Sequence, residues 1–143
     1  MLTEGNGRPL SVVVAPANRH DAKLLAATIE AVVVARPTTA EVQQHLCLDK
    51  GYDNPSGKTA ATEGGYVAHI RPIGEEADPS TRHPEAKPRR WVVERTIGWL
   101  NKCRALLVRY NKHARNYLGL IQLACCLLWY RKLRQLNGEP VLG

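Results

Sequence analysis

The first half of the chain alternates short apolar runs with segments of helical periodicity. The apolar runs predict strands at Pro9–Ala15, His45–Leu48 and Tyr66–Ile70. Apolar positions recur at helical spacing from Asp21 to about Ala35, and a shorter helix is predicted at Lys58–Glu63. Because strands and helices alternate along the chain, we expect parallel strand pairing in an α/β sheet.

The residues before the first strand predict a β-hairpin with a short first arm. Asn6-Gly7 is a strong hairpin signal, because both residue types tolerate a positive φ. Only Met1, Leu2 and Thr3 precede the turn segment, whereas a typical strand has about five residues. We therefore expect either a fragment that begins inside a hairpin or a hairpin that takes its partner strand from elsewhere.

The last third of the chain is predicted to be helical. One helix is expected from about Trp91 to Lys112, followed by a polar break and a second helix at Tyr117–Leu136. The middle of the second helix is apolar nearly all round, which predicts that it is mostly buried. Residues 71–88 contain four prolines and mixed charges, and are predicted to form a mobile loop within a domain of residues 1–136, with 137–143 as a tail.

Charge is concentrated in this helical part. The chain carries a net charge of +7 over 143 residues, but the segment from Lys87 to Leu136 holds twelve Lys or Arg and one acid, Glu94. The remaining residues contain eight bases and twelve acids. This asymmetry predicts a face for a polyanion, most often a nucleic acid. A solvated basic helix surface is the alternative.

Cysteine spacing and hydropathy indicate a cytoplasmic protein that does not enter a membrane. The longest apolar run, Leu118–Tyr130, is too short to cross a bilayer, and the first residues do not form a secretory signal. The cysteines show neither a CxxC pair nor the spacing of a zinc site, so we expect reduced, mostly buried thiols at Cys47, Cys103, Cys125 and Cys126.

Two carboxylates are candidate metal ligands. Asp49 follows an apolar strand and precedes the Gly51 turn, and Glu94 lies near the start of a basic helix. Divalent metal ions that cut phosphodiesters prefer such oxygen ligands. The simpler alternatives are a turn-forming aspartate and an ion pair between Glu94 and Arg90. Asp21 is interpreted as a residue of a helix first turn, opposite the helix dipole, rather than as a catalytic acid.

Several short sequence motifs, taken together, resemble those of the DDE transposases of bacterial insertion sequences. The resemblance is greatest to the IS-five/IS-four type. The motifs are Asp49-Lys50-Gly51-Tyr52-Asp53 after a strand, a proline-rich loop, and Arg90-Trp91-Val92-Val93-Glu94-Arg95 with Trp99-Leu100. Gly7-Arg8-Pro9-Leu10 and Ala17-Asn18-Arg19-His20-Asp21 look like the same family. The resemblance covers the chain from Leu2 to about Arg134.

The resemblance implies an RNase H-like domain in which three carboxylates bind two Mg²⁺ (or Mn²⁺) ions, cut transposon ends and join them to target DNA. Asp49 falls on the second aspartate of that set, Glu94 on its glutamate, and Arg90 on the arginine four residues before it. Lys87 and Asn101 stand where the family has a tyrosine and a lysine. The bases expected to contact DNA are Lys50, Arg89, Arg90, Arg95 and Lys102.

The first aspartate of the family lies on a strand upstream of the hairpin. The resemblance therefore implies an incomplete α/β, RNase H-like fold, with a truncated mixed sheet, the first catalytic strand absent and two long C-terminal helices. Asp21 and Asp53 stand at the wrong places to replace that aspartate. We expect the chain to be inactive alone, with DNA, a separately supplied upstream half or a second copy as partners. The alternatives are a non-catalytic DNA-binding or regulatory module and a structural partner domain.

Overall fold

The computed structural model describes residues 1–38, 42–70 and 90–138, which belong to two compact units. The hairpin–helix unit comprises Met1–Val14 and Val92–Gly143, and the sheet unit comprises Ala15–Trp91. The loop predicted at 71–88 and most of the tail predicted at 137–143 lie outside the described residues.

The hairpin–helix unit begins with the predicted hairpin, which is confirmed. Strand β1 (Leu2–Thr3) pairs antiparallel with β2 (Pro9–Ser11), so β2 is shorter than the predicted Pro9–Ala15. The Glu4 carboxylate accepts hydrogen bonds from the backbone N–H groups of Asn6, at 2.9 Å, and Arg8, at 3.2 Å. Gly7 adopts a φ of +88°, in the left-handed region that glycine enters without steric cost.

Helices of the same unit hold the hairpin turn. The Thr96 side chain is fully buried, and its hydroxyl lies within hydrogen-bond distance of the Gly7 and Val92 carbonyl oxygens. Arg95 Nη2 donates to the Asn6 carbonyl at 2.6 Å, and Trp129 Nε1 donates to the Pro9 carbonyl at 2.8 Å. The turn is therefore fixed by side chains that are distant in sequence.

The single helix predicted from Trp91 to Lys112 is wrong, because the chain breaks after α3 (Arg90–Asn101) and resumes as α4 (Arg104–Leu107). Cys103, between them, is extended with φ −79° and ψ 103°. In one continuous helix, Leu100 and Leu106 would lie about 120° apart around the axis. The break allows both to enter one core cluster, which also contains Ile121 and Ala124.

Helix α5 (Ala114–Leu136) begins three residues before the predicted start and is less buried than predicted. Within it, the buried residues are Ile121 and Ala124, whereas Leu123, Leu127, Tyr130 and Leu133 are exposed. Tyr117 donates to the Leu106 carbonyl at 3.0 Å, which fastens α5 to α4 on one side. A helix packed on one side leaves its other apolar positions exposed, so a composition that is apolar all round did not indicate burial here.

The sheet unit confirms the predicted parallel pairing. Strands β3 (Gln44–Leu48) and β4 (Tyr66–Ile70) pair in register from Gln44 opposite Tyr66 to Leu48 opposite Ile70. Helix α2 (Pro55–Glu63) connects them and contains the predicted Lys58–Glu63 helix. Among the described residues, the strands form two separate two-stranded sheets.

The first helical segment of this unit is shorter than the predicted Asp21–Ala35. A 3₁₀ turn, Asp21–Leu24, leads into α1 (Leu25–Glu30), and Val33 beyond it is 90% exposed. The valines at 32–34 are β-branched and disfavour helix continuation. Among the residues of this unit that the structure describes, the buried apolar side chains come from α1, α2 and β3: Leu25, Ile29, Leu46, Ala60 and Ala61.

The cysteines are less buried than predicted. All four are free thiols, with Cys47 and Cys126 exposed and Cys103 and Cys125 partly buried. Burial, followed by the neighbouring Cys126, raises the pKa of the Cys125 thiol. In the parts of the chain that the structure describes, no helix combines the length and apolarity needed to cross a membrane.

Candidate active site

Asp49 is positioned by two consecutive capping interactions in the sheet unit. It follows β3 and begins the 3₁₀ turn Lys50–Tyr52, where its Oδ1 accepts from the Lys50 backbone N–H at 2.6 Å. Asn54 then caps α2, because its Oδ1 accepts from the Gly57 N–H at 2.8 Å. The Asp49 carboxylate is held at the end of a parallel strand, where α/β sheets commonly place ligands.

The 3₁₀ turn after Asp49 lies directly against the first turn of α2. A Cβ atom on Gly57 would stand only 2.4 Å from the Tyr52 carbonyl oxygen. The absence of a side chain at Gly57 therefore allows α2 to approach the Lys50–Tyr52 turn this closely. The position of the turn, and with it the position of Asp49, depends on this approach.

A cavity of about 390 Å³ opens beside Asp49 within the sheet unit. Its polar lining consists of Asp49, Asp21, His20, Lys23, Tyr52, Asn54 and Ser56. Burial, followed by the negative charges of Asp21 and Asp49, raises the pKa of the half-buried Tyr52 phenol. The fold thus brings Asp21 to the same cavity as Asp49, which the sequence analysis did not predict.

Asp21 does begin a helical turn, as predicted, but it also faces this cavity. A signal for the second role was present in the sequence. Asp21 belongs to Ala17–Asp21, one of the motifs on which the family resemblance depends. A residue needed only for the first turn of a helix could be any of several polar types. Asp53, the other acid that is misplaced to replace the family's first aspartate, forms an ion pair with Lys58 at 2.7 Å.

Glu94 lies in the hairpin–helix unit, exposed on α3. Its neighbour Arg95 is partly buried, and the Arg95 guanidinium lies 4.9 Å from the Trp99 ring centroid in addition to donating to Asn6. Arg95 therefore has a structural role, and its predicted contact with DNA stays a prediction. Asp49 and Glu94 belong to different units.

The other predicted DNA-contacting bases differ in their placement. Lys50 and Lys102 are exposed, whereas Arg89 and the Arg90 side chain lie outside the described residues. Lys102 opens a segment that the sequence analysis did not single out. Residues 102–115 contain five bases and no acid, and all five are exposed: Lys102, Arg104, Arg109, Lys112 and Arg115. We call this segment the basic connector.

The donor chemistry near Asp49 suits a hard divalent cation. Carboxylate oxygens from Asp21 and Asp49 line the cavity, and such oxygens are the ligands that Mg²⁺ and Mn²⁺ prefer. In residues 1–38, 42–70 and 90–138, three or more His, Cys, Asp or Glu side chains do not gather into a metal-holding group. A cation here would keep water molecules as its remaining ligands, as Mg²⁺ usually does in proteins.

A protein family and a bacterial protein both match this chain. The family described as "Transposase DDE domain" matches residues 46–131, a range that includes both Asp49 and Glu94. A Burkholderia cepacia protein named "Putative transposase for insertion sequence element IS402" is 31% identical over 139 residues. The alignment covers 94% of this chain and 63% of that protein's length. No solved structure matches the chain.

Proposed function

This chain belongs to the DDE transposase family, and on that premise we propose that it acts in DNA transposition, through metal-dependent cutting and joining of DNA strands. The observation that carries the proposal is the family match over residues 46–131, which spans both acids that the sequence analysis selected. The chain spans 63% of the length of its Burkholderia relative. The proposal therefore concerns what residues 46–131 contribute to the reaction.

We assign Asp49 and Glu94 the role of metal ligands, in an RNase H-like arrangement. Bound Mg²⁺ or Mn²⁺ would supply Lewis-acid stabilisation of the phosphodiester oxygens. Asp49 suits this role because it follows a parallel strand, its Oδ1 is oriented by the Lys50 N–H, and the residue is exposed. Glu94 suits it because it falls on the glutamate of the family resemblance and is the one acid between Lys87 and Leu136. The twelve bases of that segment favour DNA phosphates nearby.

The test is strand cleavage and joining on DNA that carries the element's ends, with Mg²⁺ or Mn²⁺. We expect little reaction from the 143-residue chain alone, because it spans only 63% of the length of its Burkholderia relative. We expect reaction when the part of the Burkholderia relative outside the alignment is supplied as a second polypeptide. Asp49→Asn or Glu94→Gln should then lower the rate by at least about a hundredfold, as loss of a principal catalytic group does.

Asp53→Asn is the matched control, since it removes an acid four residues from Asp49 that pairs with Lys58. It should leave the rate near that of the unchanged chain. Cleavage that persists in both Asp49→Asn and Glu94→Gln would contradict their assignment. Efficient joining by the 143-residue chain alone would contradict the expectation of inactivity.

The basic connector supports DNA binding by the hairpin–helix unit. Its five exposed bases extend from the residue after α3 to the second residue of α5, and Tyr110 among them is 81% exposed. The connector leads into the N-terminus of α5, whose first turn contains no acid. Helix N-termini and exposed lysines and arginines both favour phosphate, and an exposed aromatic ring can stack on a base.

Neutralising part of the connector should weaken DNA binding and reduce its salt dependence. For Lys112→Ala combined with Arg115→Ala, we expect the slope of log affinity against log salt to fall by about 0.9 for each duplex phosphate that the protein no longer neutralises. Fluorescence anisotropy over a salt series measures this slope. Arg131→Ala with Lys132→Ala removes the same charge near the other end of α5. Equal slopes for the two double variants would show that the connector is not a preferred DNA contact.

The DNA-binding measurements on the connector variants also test a regulatory, non-catalytic function. The connector bases and the two acids are different residues, so binding and chemistry can be separated. DNA binding that depends on the connector, together with a reaction that never responds to Asp49 or Glu94, would favour the regulatory function.

A further inference from the structure

We propose that α5 carries a homodimer interface, at which it packs antiparallel against α5 of a second copy of this chain. The inference concerns an apolar surface that the proposed function does not use, and it depends neither on DNA nor on a metal ion. We call this surface the α5 stripe. It consists of the exposed α5 residues Gly119, Leu123, Cys126, Leu127, Tyr130, Leu133 and Leu136.

The first observation is the spacing of the stripe. Five of its members follow one another at alternating steps of four and three residues: Gly119, Leu123, Cys126, Tyr130 and Leu133. This is the heptad spacing of a helix that packs along another helix. The core residues Ile121 and Ala124 are buried on the other side of α5. Helix α5 therefore has two packing faces, and the described part of its own unit covers one of them.

The second observation is the area that the stripe exposes. Its four leucines and Tyr130 are 51% to 68% exposed. Together they present roughly 600 Å² on each copy, at the upper end of the apolar patches that monomeric proteins expose. Burying the patch on two copies removes about 1,200 Å² from water, which reaches the range of specific protein–protein interfaces. The stripe therefore supplies the area that a dimer needs.

The third observation is the charge of α5, which decides between the two orientations of the pair. The helix contains no acid and four bases: Arg115, Arg131, Lys132 and Arg134. In a parallel pair each base would lie beside its own counterpart, and like charges repel. In an antiparallel pair the three C-terminal bases lie beside the first half of the other helix, where residues 116–127 are uncharged. The charge pattern therefore favours the antiparallel pair.

The stripe is centred on Cys126, which is an exposed free thiol. Because a two-fold axis relates the identical helices of an antiparallel pair, the central residue meets its own counterpart. Leu133 of one copy then lies opposite Gly119 of the other, where a Cβ atom would meet no atom within 4 Å, so that a larger side chain has room. Helix α5 is about 35 Å long, so the two basic connectors lie near opposite ends of the pair and remain accessible to DNA.

The first test is the association of the 143-residue chain, freed of nucleic acid, by sedimentation equilibrium. We expect a reversible dimer at micromolar concentration. Leu127→Gln should raise its dissociation constant by at least about tenfold, because the two-fold axis removes this leucine from both sides of the interface. Leu107→Gln is the matched control, since Leu107 is a leucine of α4 that is 62% exposed and lies outside the stripe. It should dimerise like the unchanged chain, and circular dichroism verifies that both variants are folded.

Thiol crosslinking tests the centre of the interface. A short bis-maleimide reagent should join two copies through Cys126, so Cys126→Ser should abolish the covalent dimer. Cys47→Ser removes the exposed thiol of the sheet unit and should retain it. A covalent dimer that is lost with Cys47→Ser and kept with Cys126→Ser would overturn the proposal.

The same reagent tests the orientation of the helices. In the Cys126→Ser background, a Gln122→Cys variant should crosslink when it is mixed with an Arg131→Cys variant, but not with itself. The two copies of residue 122 lie about 12 Å apart along the axis of an antiparallel pair, whereas they lie side by side in a parallel pair. Efficient crosslinking of Gln122→Cys with itself would overturn the antiparallel arrangement.

Other occupants of the stripe would give different results, each of which overturns the proposal. One is a monomeric chain that forms a complex with the part of the Burkholderia relative outside the alignment, when Leu127→Gln weakens that complex. Another is a monomer whose Cys126 resists a thiol reagent, because the same chain then covers the stripe. Equal dissociation constants for Leu127→Gln and Leu107→Gln would place the dimer contact elsewhere.

The salt dependence separates the dimer from association through residual DNA. Because the stripe is apolar and both copies are basic, added salt should preserve or strengthen the dimer. Association bridged by DNA weakens steeply with salt, and such weakening would contradict the proposed interface.

Discussion

Gly57→Ala is expected to destabilise the sheet unit by about 2 kcal/mol. Overpacking typically costs about 1–3 kcal/mol, and here the added methyl group would stand 2.4 Å from the Tyr52 carbonyl oxygen, an atom of the backbone that cannot rotate away. Alanine is favoured over glycine within a helix by about 1 kcal/mol, which offsets part of the cost.

Urea or thermal unfolding followed by circular dichroism measures the stability change. Gly51→Ala is the matched control, because a Cβ atom there meets no atom within 4 Å although the residue lies in the same turn. We expect this control to stay within about 0.5 kcal/mol of the unchanged chain, as surface substitutions usually do. A Gly57→Ala variant as stable as the Gly51→Ala variant would contradict the close approach of α2 to the turn.

Gly7→Ala is expected to destabilise the hairpin–helix unit by about 2–3 kcal/mol. The positive φ of +88° alone costs a residue with a side chain about 1–2 kcal/mol. The added Cβ atom would also lie 3.0 Å from Arg95 Nη2 and 3.0 Å from Thr96 Oγ1, the groups that bind the turn carbonyls. The substitution therefore strains the turn and displaces the side chains that hold it.

Gly98→Ala, in α3 of the same unit, is the control for this substitution. Its change in stability should have the opposite sign. A Cβ atom at Gly98 meets no atom within 4 Å, so the gain in helix propensity, about 0.5–1 kcal/mol, should appear as added stability. Chemical unfolding that is followed by tryptophan fluorescence reports on both variants. Equal stability of Gly7→Ala and the unchanged chain would show that the turn does not dock on α3 as described.

Features that depend on neighbouring residues could be predicted from the sequence. The Asn6-Gly7 hairpin, strand Tyr66–Ile70 and the parallel pairing of β3 with β4 are confirmed. In each case a local pattern, such as a turn signal or an apolar run, restricts the backbone strongly. Asp49 was likewise selected from its local position, between an apolar run and a glycine turn.

Features that depend on distant residues could not be predicted in this way. The helix break at Cys103 brings Leu100 and Leu106 into one cluster with Ile121, which lies on another helix. Periodicity along one helix contains no information about that packing. The same limit applies to the site, because Asp21 reaches the Asp49 cavity only through the packing of two separate 3₁₀ turns.

The two units differ in how their residues are distributed along the chain, and this has a consequence for synthesis on the ribosome. The sheet unit is continuous, whereas the hairpin–helix unit joins both ends of the sequence. Thr96 contacts Gly7 across 89 positions, and Trp129 contacts Pro9 across 120. At about 5–20 residues per second, the hairpin is synthesised about 6–24 seconds before Trp129 is added. We therefore expect the N-terminal hairpin to be the last part of the chain to become resistant to protease during translation.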